Sequence, residues 1–101
     1  MSDSFNNLFS IINSKKYNNV ILIFGINTCP FCLNSINDLH KYGIPYKFFD
    51  IKNNYKNFFS NLQEISKKYK NLISLQNHKT VPVIFFNSKF IGGYSQLSAF
   101  F

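Results

Sequence analysis

The chain has 101 residues, of which 46% are hydrophobic and 19% aromatic, and a formal net charge of +7. This length predicts a single domain over residues 1–101, and the apolar fraction excludes intrinsic disorder. The longest uninterrupted apolar run, 20–24, is far shorter than the roughly 20 residues of a membrane-spanning helix. The first residues lack the pattern of a secretory signal, so we expect a cytoplasmic protein without a membrane partner.

The basic residues are all lysines, eleven against four acidic residues, and they are spread along the chain. Such a charge attracts anionic partners and repels other copies of the chain, so we expect a monomer. Recognition of bases and phosphates favours the bidentate fork of arginine, which this chain lacks. The composition therefore predicts a solvated surface and no nucleic-acid partner.

The N-terminal half is predicted to begin with a helix and to continue with a strand–helix–strand unit. Apolar residues from Phe5 to Ile12 recur at helical spacing, which predicts an amphipathic helix near residues 3–16. The apolar run at 20–24 is typical of a strand that is covered on both faces. A second helix is predicted to begin at Cys29, because Pro30 suits the first helical position.

A second strand, 46–50, follows that helix, which Gly43 and Pro45 are predicted to end. Residues 20–50 should thus form a strand, a crossover helix and a parallel strand. A third helix is predicted from an apolar stripe between Tyr55 and Tyr69.

The C-terminal part is predicted to be a hairpin and a short helix, after a polar stretch at 71–79 that has no clear pattern. The hairpin pairs 81–86 with 89–91 around Asn87 and Ser88 and is broken by Gly92 and Gly93. The helix is predicted over 94–101. Its inward residues should be Leu97, Phe100 and Phe101.

The two cysteines, Cys29 and Cys32, lie in one Cys-Pro-Phe-Cys tetrapeptide. Zinc sites need four ligands, and His40 and His78 form no pair at ligand spacing, so we expect no metal. An extracellular scaffold held by disulfides needs more cysteines in a chain this short. The spacing therefore favours a redox dithiol, with an inert buried pair or half of a metal site as the structural alternative.

A Cys-x-x-Cys at the start of a helix is predicted to be reactive, because the nucleophile in thiol exchange is the thiolate. The free N–H groups of the first turn and the helix dipole stabilise negative charge there. Cys29 is outermost and should attack. Cys32, one turn into the helix, should resolve a mixed disulfide by forming the intramolecular bond.

Three motifs, in this order, resemble the dithiol glutaredoxins of the thioredoxin-like superfamily. They are Cys-Pro-Phe-Cys at 29–32 after a strand, Thr80-Val81-Pro82 before a strand, and Ile91-Gly92-Gly93 after it. The resemblance implies an α/β, thioredoxin-like fold with a four-stranded mixed sheet flanked by helices. It also implies a thiol-disulfide oxidoreductase with glutathione as co-substrate, whose clients are protein disulfides and glutathionylated proteins.

The resemblance further implies a cis peptide bond before Pro82 and a glutathione site. A cis X-Pro bond costs little, and it would leave the backbone of Val81 to pair with the substrate. The implied binding residues are Phe31, Lys79, Thr80, Val81, Pro82, Gly92, Gly93, Ser95 and Gln96.

Two positions of this chain depart from the family pattern. Gln96 stands where the family usually has Asp, and Ile26 where it often has Lys, so two charges that would meet glutathione are missing. Lys79 or a lysine of the 67–70 cluster is the candidate replacement for the lost cation. Each lost charge-assisted contact is worth roughly 1.5–3 kcal/mol at most, so binding is expected to weaken without vanishing.

Three alternative functions stay open. A thioredoxin-like reductase or oxidant of one partner protein, working without glutathione, is favoured by the residues at 26 and 96. Two copies holding an iron–sulfur cluster through Cys29 and glutathione fit Pro30 and the second cysteine less well. The third is a protein-interaction domain with a structural dithiol.

The other polar aromatic residues have simpler predicted roles. His40 and His78 are expected to be surface or packing residues. Tyr94 is expected either to line a groove beside the two glycines or to pack.

Overall fold

The computed structural model describes residues 3–69, 78 and 80–101. Within these ranges four strands form one mixed sheet, in the order β2-β1-β3-β4. The helices are α1 (Asp3–Ile12), α2 (Pro30–Lys41), α3 (Tyr55–Lys68) and α4 (Tyr94–Ser98), and the strands are β1 (Ile21–Gly25), β2 (Tyr46–Asp50), β3 (Val83–Phe86) and β4 (Lys89–Gly92). None of the helices in the described ranges is both long enough and apolar enough to span a bilayer.

The predicted strand–helix–strand unit is confirmed. β1 runs parallel to β2, with Ile21 opposite Tyr46 and Gly25 opposite Asp50, and α2 is the crossover between them. β1 also pairs antiparallel with β3, so it is an inner strand and is buried along its whole length. An inner strand between helical layers needs apolar side chains on both faces, which explains its continuous apolar run.

The hairpin of β3 and β4 is confirmed, with shifted ends. Asn87 and Ser88 both have positive φ, 50° and 69°, as a two-residue turn that follows the strand twist requires. Pro82 precedes β3 because it has no N–H to give to the strand ladder. β4 ends at Gly92 and Gly93 lies outside it, so the predicted break at the two glycines is confirmed, with Gly92 still part of the strand.

Two helix ends differ from the prediction. α1 ends at Ile12 instead of residue 16, because Ser14 caps a separate 3-10 turn by accepting a hydrogen bond from the N–H of Lys16. α4 ends at Ser98, and Phe100 and Phe101 lie beyond it with 72% and 39% of their surfaces exposed.

The prediction that Phe100 and Phe101 point inward is therefore wrong. A helix of one turn offers one inward position, and Leu97 takes it, 2% exposed. The third helix is confirmed at Tyr55–Lys68. The unassigned stretch at 71–79 lies outside the described residues, except for His78.

The core has one cluster on each face of the sheet. Alternate residues of β1 point to opposite faces, so Leu22 and Phe24 pack under α1 and α3 while Ile21 and Ile23 face α2 and α4. On this second face Leu39 of α2 and Leu97 of α4 join one buried cluster with Ile84. This packing brings the start of α2, which carries the dithiol, onto the same face as the helix that follows the two glycines.

Candidate active site

Cys29 is the N-cap residue of α2. Its backbone is extended, its carbonyl accepts from the N–H of Leu33 at 3.0 Å, and Pro30 follows at the first helical position. The Cys29 side chain makes no capping hydrogen bond and is half-buried. The helix thus begins at the first cysteine, as predicted. The Cys29 sulfur does not accept a hydrogen bond from the free N–H groups of the first helical turn.

Cys32 has a different environment, because its side chain is fully buried. Burial is the main cause that raises the pKa of Cys32 from 9.0 to about 11. Its hydrogen bond to Cys29 and the charge of Asp50 raise this pKa further, while a hydrogen bond from the backbone N–H of Ile26 opposes them. At neutral pH Cys32 is therefore a thiol that donates its proton toward the Cys29 sulfur.

The raised pKa of Cys32 predicts a loss of stability in alkali. The unfolded chain releases this proton near the ordinary value of 9.0, whereas the folded chain keeps it until about pH 11. The free energy of unfolding should therefore fall as pH rises through this interval and level off above it, by at most about 3 kcal/mol in all. Denaturant unfolding of wild type and Cys32→Ser at several pH values measures this. The two proteins should diverge only above about pH 9, and parallel pH profiles would contradict the buried thiol.

The side chain between the cysteines lies on the surface. Phe31 is 58% exposed, and its ring centroid lies 6.2 Å from that of Tyr94. The Tyr94 hydroxyl donates to Oδ2 of Asp38 at 2.8 Å, and this bond raises the pKa of Tyr94. Tyr94 therefore packs, which is one of its two predicted roles, and its ring lies beside Phe31 of the Cys-Pro-Phe-Cys motif.

The loop before β3 is held by a histidine. The Val81–Pro82 bond is cis, as predicted, and the carbonyl of Pro82 lies 3.2 Å from Nε2 of His78. The His78 ring also packs edge-on against Phe90, at 5.2 Å, and lies close to Gly93. His78 is thus a packing residue, as predicted, but no pattern in the sequence indicates that it lies against both Pro82 and Gly93.

The two glycines and the start of α4 form a tight turn. Gly92 has a φ of +130°, and a Cβ on it would lie 2.7–2.9 Å from atoms of Gln96. The N–H of Gly93 donates to Oε1 of Gln96 at 2.8 Å. Gln96 thus caps its own helix, and its side chain lies over both glycines. Ser95 is exposed in the same turn.

The remaining predicted site residues differ in how exposed they are, and one of them lies outside the described residues. Thr80 is exposed and Val81 is half-buried, while Lys79 lies outside the described residues. Ile26, at the position of the missing cation, packs against the core beneath α1 and α3. In the described ranges no group of three or more His, Cys, Asp or Glu side chains is arranged to hold a metal ion.

Comparison with known proteins shows the family to which the chain belongs. The family model named Glutaredoxin matches residues 21–91, which include the dithiol, the Pro82 loop and the strand that leads to the glycines. The chain belongs to the glutaredoxin family. As a glutaredoxin, it is a thiol-disulfide oxidoreductase.

Its relatives include a probable glutaredoxin of Acanthamoeba polyphaga mimivirus, 32% identical over 78% of this chain and 74% of that protein. Glutaredoxin-2 of Schizosaccharomyces pombe is 36% identical, over 80% of this chain and 66% of that protein.

Solved glutaredoxins share the thioredoxin-like fold. The dithiolic glutaredoxin of Trypanosoma brucei brucei has a TM-score of 0.63 and 30% identity, covering 91% of this chain and 82% of that one. A buckwheat glutaredoxin in complex with glutathione has a TM-score of 0.67 and 17% identity, covering 95% of this chain and 76% of that one. The α/β, thioredoxin-like fold inferred from three short motifs is therefore confirmed.

Proposed function

We propose that this glutaredoxin uses glutathione to reduce protein disulfides and protein–glutathione mixed disulfides through Cys29 and Cys32. The observation that carries the proposal is the difference between the two sulfurs. Cys29 is half-buried at the helix start without a capping role, whereas Cys32 is fully buried with its pKa raised to about 11. A sulfur that substrates reach suits the attacker, and a protonated sulfur held behind it suits the resolving thiol.

With a glutathionylated protein, the Cys29 thiolate attacks the glutathione sulfur. A bond forms between Cys29 and glutathione, the bond between glutathione and the client breaks, and the client leaves as a thiolate that takes a proton from water. A second glutathione thiolate then attacks the Cys29-bound glutathione. Oxidised glutathione leaves, and Cys29 returns as the thiolate, so Cys32 is not needed for this cycle.

With a protein disulfide, Cys29 attacks one client sulfur and the other leaves. Cys32 then loses its proton and attacks the Cys29 sulfur, which forms the intramolecular disulfide and releases the reduced client. Two molecules of glutathione reduce that disulfide and leave as oxidised glutathione. The hydrogen bond between Cys32 and Cys29 supports this step, because the two sulfurs already lie side by side.

We place glutathione in the groove between the Pro82 loop and the start of α4. His78 lies beside both parts of this site, with its Nε2 3.2 Å from the carbonyl of Pro82 and its ring close to Gly93, and the net charge of +7 favours a ligand with two carboxylates. The similar buckwheat fold in complex with glutathione supports glutathione as the ligand. The proposed contacts are Phe31, Lys79, Thr80, Val81, Pro82, Gly92, Gly93, Ser95 and Gln96.

Turnover of a small mixed disulfide of glutathione tests the proposal. The wild-type protein is assayed with glutathione as the reductant, and oxidised glutathione is measured through glutathione reductase and NADPH. We expect saturable turnover that depends on glutathione. Absence of turnover with glutathione, together with turnover driven by a protein dithiol reductant, would contradict the proposal and favour the glutathione-independent alternative.

Gln96→Glu is expected to strengthen glutathione binding. A glutamate has the same length, so one carboxylate oxygen still accepts from the N–H of Gly93, while the added charge meets the glutathione ammonium. Since Gln96 is exposed, the gain is that of a surface ion pair, and KM for the mixed disulfide should fall about threefold at unchanged kcat. Gln63→Glu on α3 is the matched control for net charge. An equal fall of KM in both variants would contradict a specific role for position 96.

A further inference from the structure

Gly25, the last residue of β1, lies against the sulfur of Cys32 where a side chain has no room. A Cβ built on Gly25 would lie 2.6 Å from Sγ of Cys32, 3.5 Å from Cβ of Cys32 and 3.3 Å from Cε2 of Phe48. Non-bonded carbon atoms normally lie about 3.5–4.0 Å apart, and sulfur is larger than carbon. The Cys32 sulfur therefore fills the space that a side chain at position 25 would occupy.

The backbone at Gly25 does not itself require glycine. Among the glycines, positive φ occurs at Gly43 and Gly92, whereas Gly25 has the ordinary extended conformation of its strand. Its carbonyl accepts from the N–H of Ile51 at 2.8 Å, a bond that any residue can make. An isolated glycine inside a strand often marks a close approach, and here the approaching group is a thiol.

We propose that Gly25 is the positioning residue for the resolving thiol: it leaves the space that holds the Cys32 sulfur beside Cys29. A methyl group at position 25 forces this sulfur to rotate away about its Cα–Cβ bond or forces the start of α2 to lift from the sheet. Either movement breaks the contact of Cys32 with the N–H of Ile26 and its alignment with Cys29. The inference rests on the proposed roles of the two cysteines.

The reaction step that depends on the position of the Cys32 sulfur is the intramolecular exchange. Cys29, bound to a small thiol through a disulfide, is attacked by Cys32 after Cys32 loses its proton to solvent. The bond between Cys29 and Cys32 forms, the bond to the small thiol breaks, and that thiol leaves as a thiolate. Exchange requires the attacking sulfur to be in line with the breaking bond, so displacement of Cys32 slows this step and leaves the first attack by Cys29 intact.

A two-phase release experiment separates the steps without glutathione. The reduced protein is mixed with the aromatic disulfide 5,5′-dithiobis(2-nitrobenzoate), which releases one coloured thiolate when Cys29 attacks and a second when Cys32 resolves. In Gly25→Ala we expect the first phase to stay within twofold of wild type and the second to slow at least about tenfold. A second phase within twofold of wild type would overturn the proposal. Because the probe is not glutathione, a failure of the glutathione assay leaves this test unaffected.

A stability cycle keeps the proposal testable if Gly25→Ala folds poorly. Thermal unfolding is compared for wild type, Gly25→Ala, Cys32→Ala and the double variant. Once the sulfur is removed, the methyl group at position 25 has room, so the Tm penalty of Gly25→Ala should shrink by at least half in the Cys32→Ala background. An equal penalty in both backgrounds would show that another group, such as Phe48, fills the space, and it would overturn the proposal.

Discussion

Cys29→Ser is expected to abolish turnover of glutathione mixed disulfides, with a loss on the order of 10³-fold or more. A serine hydroxyl is not ionised at neutral pH and forms no disulfide, so the variant lacks the atom that must carry the covalent intermediate. The coupled assay with glutathione reductase measures this loss. Since Cys29 is half-buried at the surface end of α2, the substitution should leave Tm nearly unchanged, and that serves as the folding control. Retained turnover would show that another group is the nucleophile.

The matched variant Cys32→Ser should separate the two activities. Reduction of a glutathionylated peptide uses Cys29 and free glutathione, and it should stay within a few-fold of wild type. Reduction of a protein disulfide needs the second sulfur and should be lost. Loss of both activities in Cys32→Ser would show that the buried thiol is also needed in the first attack.

Phe85→Ala should produce the largest loss of stability. Phe85 is fully buried in β3, and its ring lies 5.9 Å from that of Phe24, edge-on, and 5.6 Å from that of Phe90. Removal of a buried phenyl ring takes away apolar burial and leaves a cavity, which costs about 3–5 kcal/mol. In a domain of this size the change lowers Tm by roughly 12 °C or more, which calorimetry or circular dichroism measures.

Phe100→Ala is the matched control for that loss. The same atoms are removed from a side chain that is 72% exposed, so Tm should change by no more than about 3 °C. A fall in Tm as large as that of Phe85→Ala would contradict the outward position of Phe100.

The strand–helix–strand unit around the dithiol was predictable because its signals are local. A continuous apolar run, a cysteine followed by Pro30, and a second run at 46–50 predict three elements, and the right-handed crossover rule arranges them. The tight turn at Asn87 and Ser88 is predictable for the same reason, since these residue types tolerate positive φ.

The details that hold the site together were not predictable, because they join residues that are distant in the chain. Tyr94 and Asp38 are 56 positions apart, and only the packing of α4 on α2 makes them partners. The direction of Phe100 depends on where a short helix ends, which its apolar pattern does not reveal. Gly25 carries a local signal, an isolated glycine at the end of a strand, but the sulfur that needs this space comes from the next element.

Alkylation under limiting reagent tests most directly which sulfur attacks. The reduced wild-type protein is treated at neutral pH with less than one equivalent of iodoacetamide, and tandem mass spectrometry maps the modified cysteine. The different environments of the two sulfurs predict that Cys29 is modified at least about tenfold more often than Cys32. Equal modification of the two cysteines, or preferential modification of Cys32, would contradict the assignment of Cys29 as the nucleophile.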